Sequence, residues 1–240
     1  MTESWDTIAD WYAELLRTGS ALHDFARDSL LCRVPENLAG APVLDLGCGE
    51  GMVARAVAAR GASVVGIDPA PRMIANARAI ERGRPSGAVF SVDDGCTLAT
   101  IGTGCVEWVT AGLSLNNVPD LDAALSAVHR VLVPGGCLVF TIPHPCFEAP
   151  HAAWTRTDNG TVRRVVGDYL TEGFWRSTNP EGVRRAGNQH RKLSTYLTAL
   201  TGHGFRIEAV EEPVPDAAVI AAQPQRAGLP PFMLFQARSA

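Results

Sequence analysis

Between Pro42 and Ile142 short apolar runs alternate with stretches of helical period, and few folds accommodate that pattern. "PVLDLG", "ASVVGID", "GAVFSVD", "VEWVTAGLSL" and "CLVFTI" read as strands. "EGMVARAVAAR", "PRMIANARAIER" and "DLDAALSAVHRVL" read as helices, with Pro71 near the first turn of the second. Pro134-Gly135-Gly136 reads as the turn into the fifth strand. Apolar strands separated by helices imply an α/β fold whose parallel sheet is covered on both faces.

The flanks follow other patterns. Trp5, Ile8, Tyr12, Leu15 and Leu16 repeat at three and four, which predicts helix from Ser4 to about Val34. After Ile142 the alternation stops. Pro143 to about Asn188 is rich in Gly, Arg and aromatics, including Trp154, Tyr169, Phe174 and Trp175. It reads as a cap inserted after the fifth strand. "QHRKLSTYLTALTGHG" then predicts a helix ending at Gly202 or Gly204, and "FRIEAVEEP" and "PFMLFQARS" two closing strands. The expected organisation is one domain over 1–240, with an N-terminal helical cap over 1–40 and an inserted substrate cap over 143–190.

Composition narrows the class. The chain has 240 residues, 46% hydrophobic and 19% charged, with a net charge of −4. Those values suit an ordinary globular protein and give no nucleic-acid footprint. No apolar run reaches the ~18 residues a membrane helix needs. The opening "MTESWDTIADWY" is acidic and aromatic, unlike a signal peptide. None of the six cysteines forms C-x-x-C, and none has zinc-like spacing with His. The expectation is a reduced, cytoplasmic protein without a structural metal.

One residue breaks the apolar pattern. Asp45 lies inside the first strand, directly before the turn Gly47-Cys48-Gly49. Burying an ionised carboxylate without partners is costly, so this charge needs a fixed set of them. Open α/β sheets bind ligands at the carboxyl ends of their strands. Small residues there let a ligand approach the backbone, and the next helix offers free N–H groups. A dinucleotide site would use G-x-G-x-x-G to cradle a pyrophosphate. Here the spacing is G-x-G-x-G, and Asp45 would repel a phosphate. The place suits a cationic ligand.

"VLDLGCGEG" resembles the signature of class I S-adenosylmethionine-dependent methyltransferases. The resemblance implies that Gly47, Cys48 and Gly49 pack against the amino-acid part of the cofactor. It also implies that Asp45 orients the loop and the methionine ammonium, directly or through water. Three further stretches match in order. "VVGIDPA" ends the second strand with Asp68 and Pro69, where the family's carboxylate accepts hydrogen bonds from both ribose hydroxyls. "VFSVDDGCTL" matches the third strand, whose acid meets the adenine amino group; Asp94 aligns best, then Asp93, with Gly95 beside them. "VEWVTAGLSLNNVPD" and "RVLVPGGCLVFTIP" match the fourth strand, its helix and the fifth strand, bringing Ala111 and Leu113 to the cofactor. The resemblance covers roughly 41–142, and the last two strands more weakly. It implies a Rossmann-like, mostly parallel seven-stranded sheet, helices on both faces, and an antiparallel last strand beside the sixth. Many relatives carry His near the end of "LSLNN"; this chain has Asn116 and Asn117, so no base is expected there, and Asn116 is a substrate-side candidate.

Further candidates are single residues. Met73 is placed to cover the adenine edge, or equally to sit in the core. His144, in "TIPHPCFE", follows the fifth strand, where the transferred methyl is expected, and a His suits proton removal; a loop histidine bonded to backbone is the competing reading. His190 and Tyr12 are candidates of the same kind, Tyr12 as an aromatic closing over the cofactor. Phe147, Trp175 and Arg191 are candidate substrate contacts. Residues 151–192 hold eight basic side chains against four acidic ones, a net of +4, so an anionic or aromatic small molecule suits the cap.

The function expected is methyl transfer from S-adenosyl-L-methionine to O or N of a small molecule, releasing S-adenosyl-L-homocysteine. The alternatives are C-methylation, a nicotinamide-dependent oxidoreductase, and a non-catalytic cofactor binder. No nucleic acid or membrane partner is expected. The cap is expected to order when substrate binds; the competing reading is packing against a second subunit in a homodimer.

Overall fold

The computed structural model describes residues 3–240. Two helices open it, α1 (Ala9–Thr18) and α2 (Ala21–Leu31). The predicted single helix is broken at Gly19, whose φ of +97° ends α1. Then come β1 (Pro42–Leu46), α3 (Met52–Ala58), β2 (Ser63–Asp68), α4 (Pro71–Gly83), β3 (Val89–Val92), β4 (Val106–Gly112), α5 (Leu121–Val131) and β5 (Leu132–Pro143). The expected Pro134-Gly135-Gly136 turn falls inside β5, where Gly135 takes φ +76° and the pairing with β4 shifts between Val106 and Trp108.

The insertion carries two antiparallel ribbons: β6 (Ala153–Arg156) with β7 (Val162–Val165), and β8 (Gly173–Trp175) with β9 (Asn188–His190). Because Gln189 and His190 belong to β9, the following helix α6 begins later than predicted, at Leu193, and ends at Gly202. β10 (Phe205–Glu211), the short α7 (Ala217–Ala222) and β11 (Phe232–Ser239) close the chain.

The main sheet has seven strands in the order β10-β11-β5-β4-β1-β2-β3. All neighbours are parallel except β11, which runs antiparallel between β5 and β10. Side-chain alternation splits the core into two layers. Leu44, Leu46 and Val109 pack with Leu125 and Val128 of α5 and Tyr196 and Leu200 of α6. Val43, Val64 and Val139 pack with Leu30 of α2, Val53 and Val57 of α3 and Ile74 of α4. Strands covered on both sides carry apolar residues at successive positions, which is why they read as continuous apolar runs. No helix among the described residues is long and apolar enough to cross a membrane.

Candidate active site

The carboxyl ends of β1, β2, β3, β4 and β5 open into a cavity of about 270 Å³. Its floor is the loop after β1. Cys48 N–H donates to the Ile67 carbonyl at 2.8 Å, which ties that loop to β2. Gly47 has φ +67°, and a Cβ there would come within 2.4 Å of the Ser114 Cβ, so only glycine lets the loop lie against the end of β4. Gly49 differs: a Cβ there would meet only the Tyr12 ring, at 3.9 Å. The backbone at Gly49 thus stays open to the cavity.

Asp68 ends β2 and lines the cavity. Gly49 N–H donates to its Oδ2 at 3.0 Å, and Ala70 N–H to its Oδ1 at 2.9 Å. Burial raises its pKa against these two bonds. Each oxygen keeps a lone pair for a ligand. At the end of β3 the two acids divide their work. Asp93 is buried and accepts from Asp94 N–H at 2.8 Å and from Thr100 N–H at 2.9 Å. Burial alone would raise its pKa, but the Thr100 hydroxyl and these N–H groups outweigh it and hold the carboxyl low. Asp94 is exposed, lines the cavity, and uses Oδ1 to accept from Cys96 N–H at 3.0 Å.

Tyr12, Pro69, Met73, Gly95, Leu113 and Asn116 also line the cavity. Tyr12 meets Trp5 and His23 edge-on, with centroids 5.7 and 5.4 Å away. Burial, then the nearby Glu50 and Asp68 carboxylates, raise the pKa of its phenol. Met73 is 2% exposed and belongs at once to a small core cluster and to the cavity wall.

Other expected site residues lie elsewhere. Asp45 shares the Val43 side of β1, beneath the loop and not on the cavity wall. Thr110 Oγ1 donates to its Oδ1 at 2.8 Å, while Oδ2 is buried without a partner among the described residues. Burial pushes its pKa up to about 7, against the pull of the Thr110 hydroxyl. Cys48 is half-buried beside Gly66, and Ala111 is fully buried in the α5-side core, so neither faces the cavity.

His144 is 1% exposed and points away from the cavity. Pro143, the last residue of β5, lines the wall, and the alternation of the chain turns the next side chain to the other side. There the His144 Nε2 pairs with Glu212 Oε1 at 2.8 Å, and Nδ1 accepts from Cys146 N–H at 3.2 Å. Phe147 packs against that imidazole, centroids 4.4 Å apart and planes tilted by 34°, and does not line the cavity. The His190 Nε2 donates to the Tyr169 carbonyl at 2.8 Å, which fastens β9 to the segment between β7 and β8. Arg191 donates to the carbonyls of Leu115, Val118 and Pro119 at 3.2, 2.6 and 3.0 Å, so it clamps the loop after β4. Trp175 lies behind the wall, with the Arg184 guanidinium 5.8 Å from its ring.

Sequence reasoning missed two groups. Leu22, His23, Ala26 and Arg27 of α2 line the cavity, and their helical spacing is the signal that one face of α2 turns inward. His23 Nδ1 is 2.7 Å from Ser20 Oγ, and burial lowers its pKa. Glu148, Arg184 and Arg226 line the far end of the cavity.

Comparison with known proteins agrees with this geometry. The model of a methyltransferase domain matches residues 44–140. A ubiquinone biosynthesis O-methyltransferase from Xanthomonas oryzae pv. oryzae is 42% identical over 107 residues, covering 42% of this chain and 43% of that protein. The match thus spans less than half the length of that curated relative. A crystal structure from Listeria monocytogenes, provisionally assigned as an S-adenosylmethionine-dependent methyltransferase, has a TM-score of 0.75 at 26% identity, covering 90% of this chain and 99% of that one. An S-adenosylmethionine-dependent methyltransferase from Mesorhizobium loti superposes with a TM-score of 0.75 at 32% identity, covering 92% of this chain and 99% of that one. With likeness along nearly the whole of both chains, and with acids at the ends of β2 and β3 around a glycine loop, this chain belongs to the S-adenosylmethionine-dependent methyltransferase family.

Proposed function

We propose that this chain transfers a methyl group from S-adenosylmethionine to an oxygen or nitrogen of a small-molecule acceptor. The observation that carries the reading is Asp68: a cavity-facing carboxylate fixed by Gly49 and Ala70 N–H groups, with lone pairs left for a diol. The residues fit the cofactor. Asp68 would accept from the ribose hydroxyls and Asp94 from the adenine amino group, while Met73 and Tyr12 supply apolar walls. Gly49 leaves the loop open to the amino-acid part. Asp45 and its unpartnered Oδ2 lie beneath that loop, at the end where a cationic group would sit.

Bound S-adenosylmethionine supplies an electrophilic sulfonium methyl. The protein's contribution is to hold the acceptor in line with it in a dry cavity, which is worth far more than any covalent help. His23 lies on the cavity wall; burial favours its neutral ring, the form that can take the acceptor's proton. The insertion, with Val183 and Asn188 on the wall, would shut out water when acceptor binds. The name of the curated relatives supports oxygen as the acceptor atom. Incubation with S-adenosylmethionine and a panel of phenols, alcohols and amines tests the proposal. S-adenosylhomocysteine should form in step with a methylated product, and its absence across the panel would remove the reading.

A further inference from the structure

Three guanidiniums converge on one buried carboxylate. Glu148 has a side chain 5% exposed. Its Oε1 accepts from Arg226 Nη1 at 2.8 Å, its Oε2 from Arg184 Nη2 at 2.9 Å, and Arg164 Nη2 lies 3.3 Å from Oε2. Burial would raise the Glu148 pKa, but the three arginines outweigh it and hold the carboxyl low. One negative charge cannot neutralise three positive ones, so two remain uncompensated in a largely buried cluster. Uncompensated buried charge is costly unless a partner arrives.

The cluster also has donors to offer. Arg226 uses Nε for Gln223 and Nη1 for Glu148, which leaves Nη2. Arg184 uses Nη1 and Nη2 for Glu148, which leaves Nε. Both arginines line the cavity, and so does Asn188, which is 7% exposed and whose Nδ2 is buried without a partner among the described residues. Arg164 does not line the cavity. It donates to the Phe147 carbonyl at 2.7 Å, stacks 4.8 Å from the Trp154 ring and completes the frame from behind.

The position separates this group from the cofactor acids. Asp68 ends β2, whereas Glu148 follows β5. Three strand intervals lie between β2 and β5, roughly 14 Å at the usual strand spacing. A cofactor held at β1–β3 leaves the β5–β11 end to the second substrate.

We propose that the methyl acceptor carries an anionic group, a carboxylate or a phosphate, bound by Arg184, Arg226 and the Asn188 amide, with Glu148 holding the two guanidiniums in place. The inference rests on the methyltransferase reading for what the second ligand is, not for the site itself. Planar guanidinium forks suit either anion.

Fluorine NMR of small probes tests it. The protein saturated with S-adenosylhomocysteine is titrated with 4-fluorobenzoate, 4-fluorophenyl phosphate and neutral 4-fluorobenzyl alcohol. At least one anion should bind roughly tenfold or more tighter than the alcohol, the size of one charge-assisted hydrogen bond. The tighter of the two identifies carboxylate or phosphate. The preference should vanish in Arg226→Gln and Arg184→Gln and persist in Arg163→Gln, which changes an exposed arginine of β7. Should Arg226→Gln not fold, the more exposed Arg184 decides. Equal binding of the alcohol, no binding of either anion, or a preference kept by the folded variants would overturn the proposal. So would loss of S-adenosylhomocysteine affinity in the arginine variants with anions indifferent, since the cluster would then read the cofactor's own carboxylate. If the parent protein does not bind S-adenosylhomocysteine at all, the methyltransferase reading falls, and the same titrations on unloaded protein still decide the arginine site.

Discussion

Removing the Asp68 carboxylate should damage cofactor binding and loop stability together, by amounts the geometry allows to be separated. Asp68→Ala deletes charge-assisted hydrogen bonds to the ribose worth roughly 1.5–3 kcal/mol, or about 10–100-fold in affinity. It also strips the acceptor from the Gly49 and Ala70 N–H groups, the second of them buried. A buried donor left unpaired costs about 1–3 kcal/mol, which for a chain of this size lowers Tm by about 2–12 °C. Relief of a desolvated charge works the other way, so the lower half of that range is expected. Asp68→Asn keeps the shape and one acceptor; it should retain more stability than Asp68→Ala while still losing the charge that the ribose hydroxyls meet. Calorimetric titration with S-adenosylhomocysteine reads affinity, and scanning calorimetry reads stability. A folded variant with parental affinity would take Asp68 out of the site, and an unchanged Tm in Asp68→Ala would refute its role as the tie between the two loops.

Other consequences are equally measurable. Asp45 has a folded pKa of about 7, above the ordinary carboxylate value, so the folded state holds the extra proton and this residue's contribution to stability falls as pH rises from ~4 to ~7. Asp45→Asn, which can still accept from Thr110, should flatten that slope in urea titrations across the same window; an unaltered slope would mean that Asp45 is not the group responsible. His23→Gln should cut turnover by about 10²-fold or more with S-adenosylhomocysteine affinity nearly intact, whereas His144→Gln should alter stability more than turnover. Steady-state rates that fall only in the His144 variant would reverse this assignment. Glu148→Ala leaves three arginines facing one another and should destabilise the fold by about 3–5 kcal/mol, a loss denaturant unfolding would detect.

The sheet was legible because strands buried on both sides must carry apolar residues at successive positions, as Val43, Leu44 and Leu46 do. The cavity-lining acid Asp68 was legible because a strand's last residue is fixed to the sheet edge; Asp94, two residues past the end of β3, also lines the cavity. Side-chain direction beyond a strand end was not legible. One step past Pro143, alternation sends His144 to Glu212 instead of the cavity, and nothing in "TIPHPCFE" marks which residue faces inward. His190 and Arg191 were misplaced because a β-ribbon, formed only with the distant β8, replaced the predicted first turn of α6. The arginine frame was hidden for a related reason. Its members, at 148, 164, 184 and 226, come from separate segments, and the only local trace is the positive balance of the insertion.

A crystal structure with S-adenosylhomocysteine tests the central claim most directly. The account predicts adenosine over the ends of β2 and β3, ribose hydroxyls on Asp68 and the adenine amino group on Asp94, with Arg184 and Arg226 free of the cofactor. Adenosine at the β5–β11 end, or a cavity without ligand at saturating concentration, would contradict it.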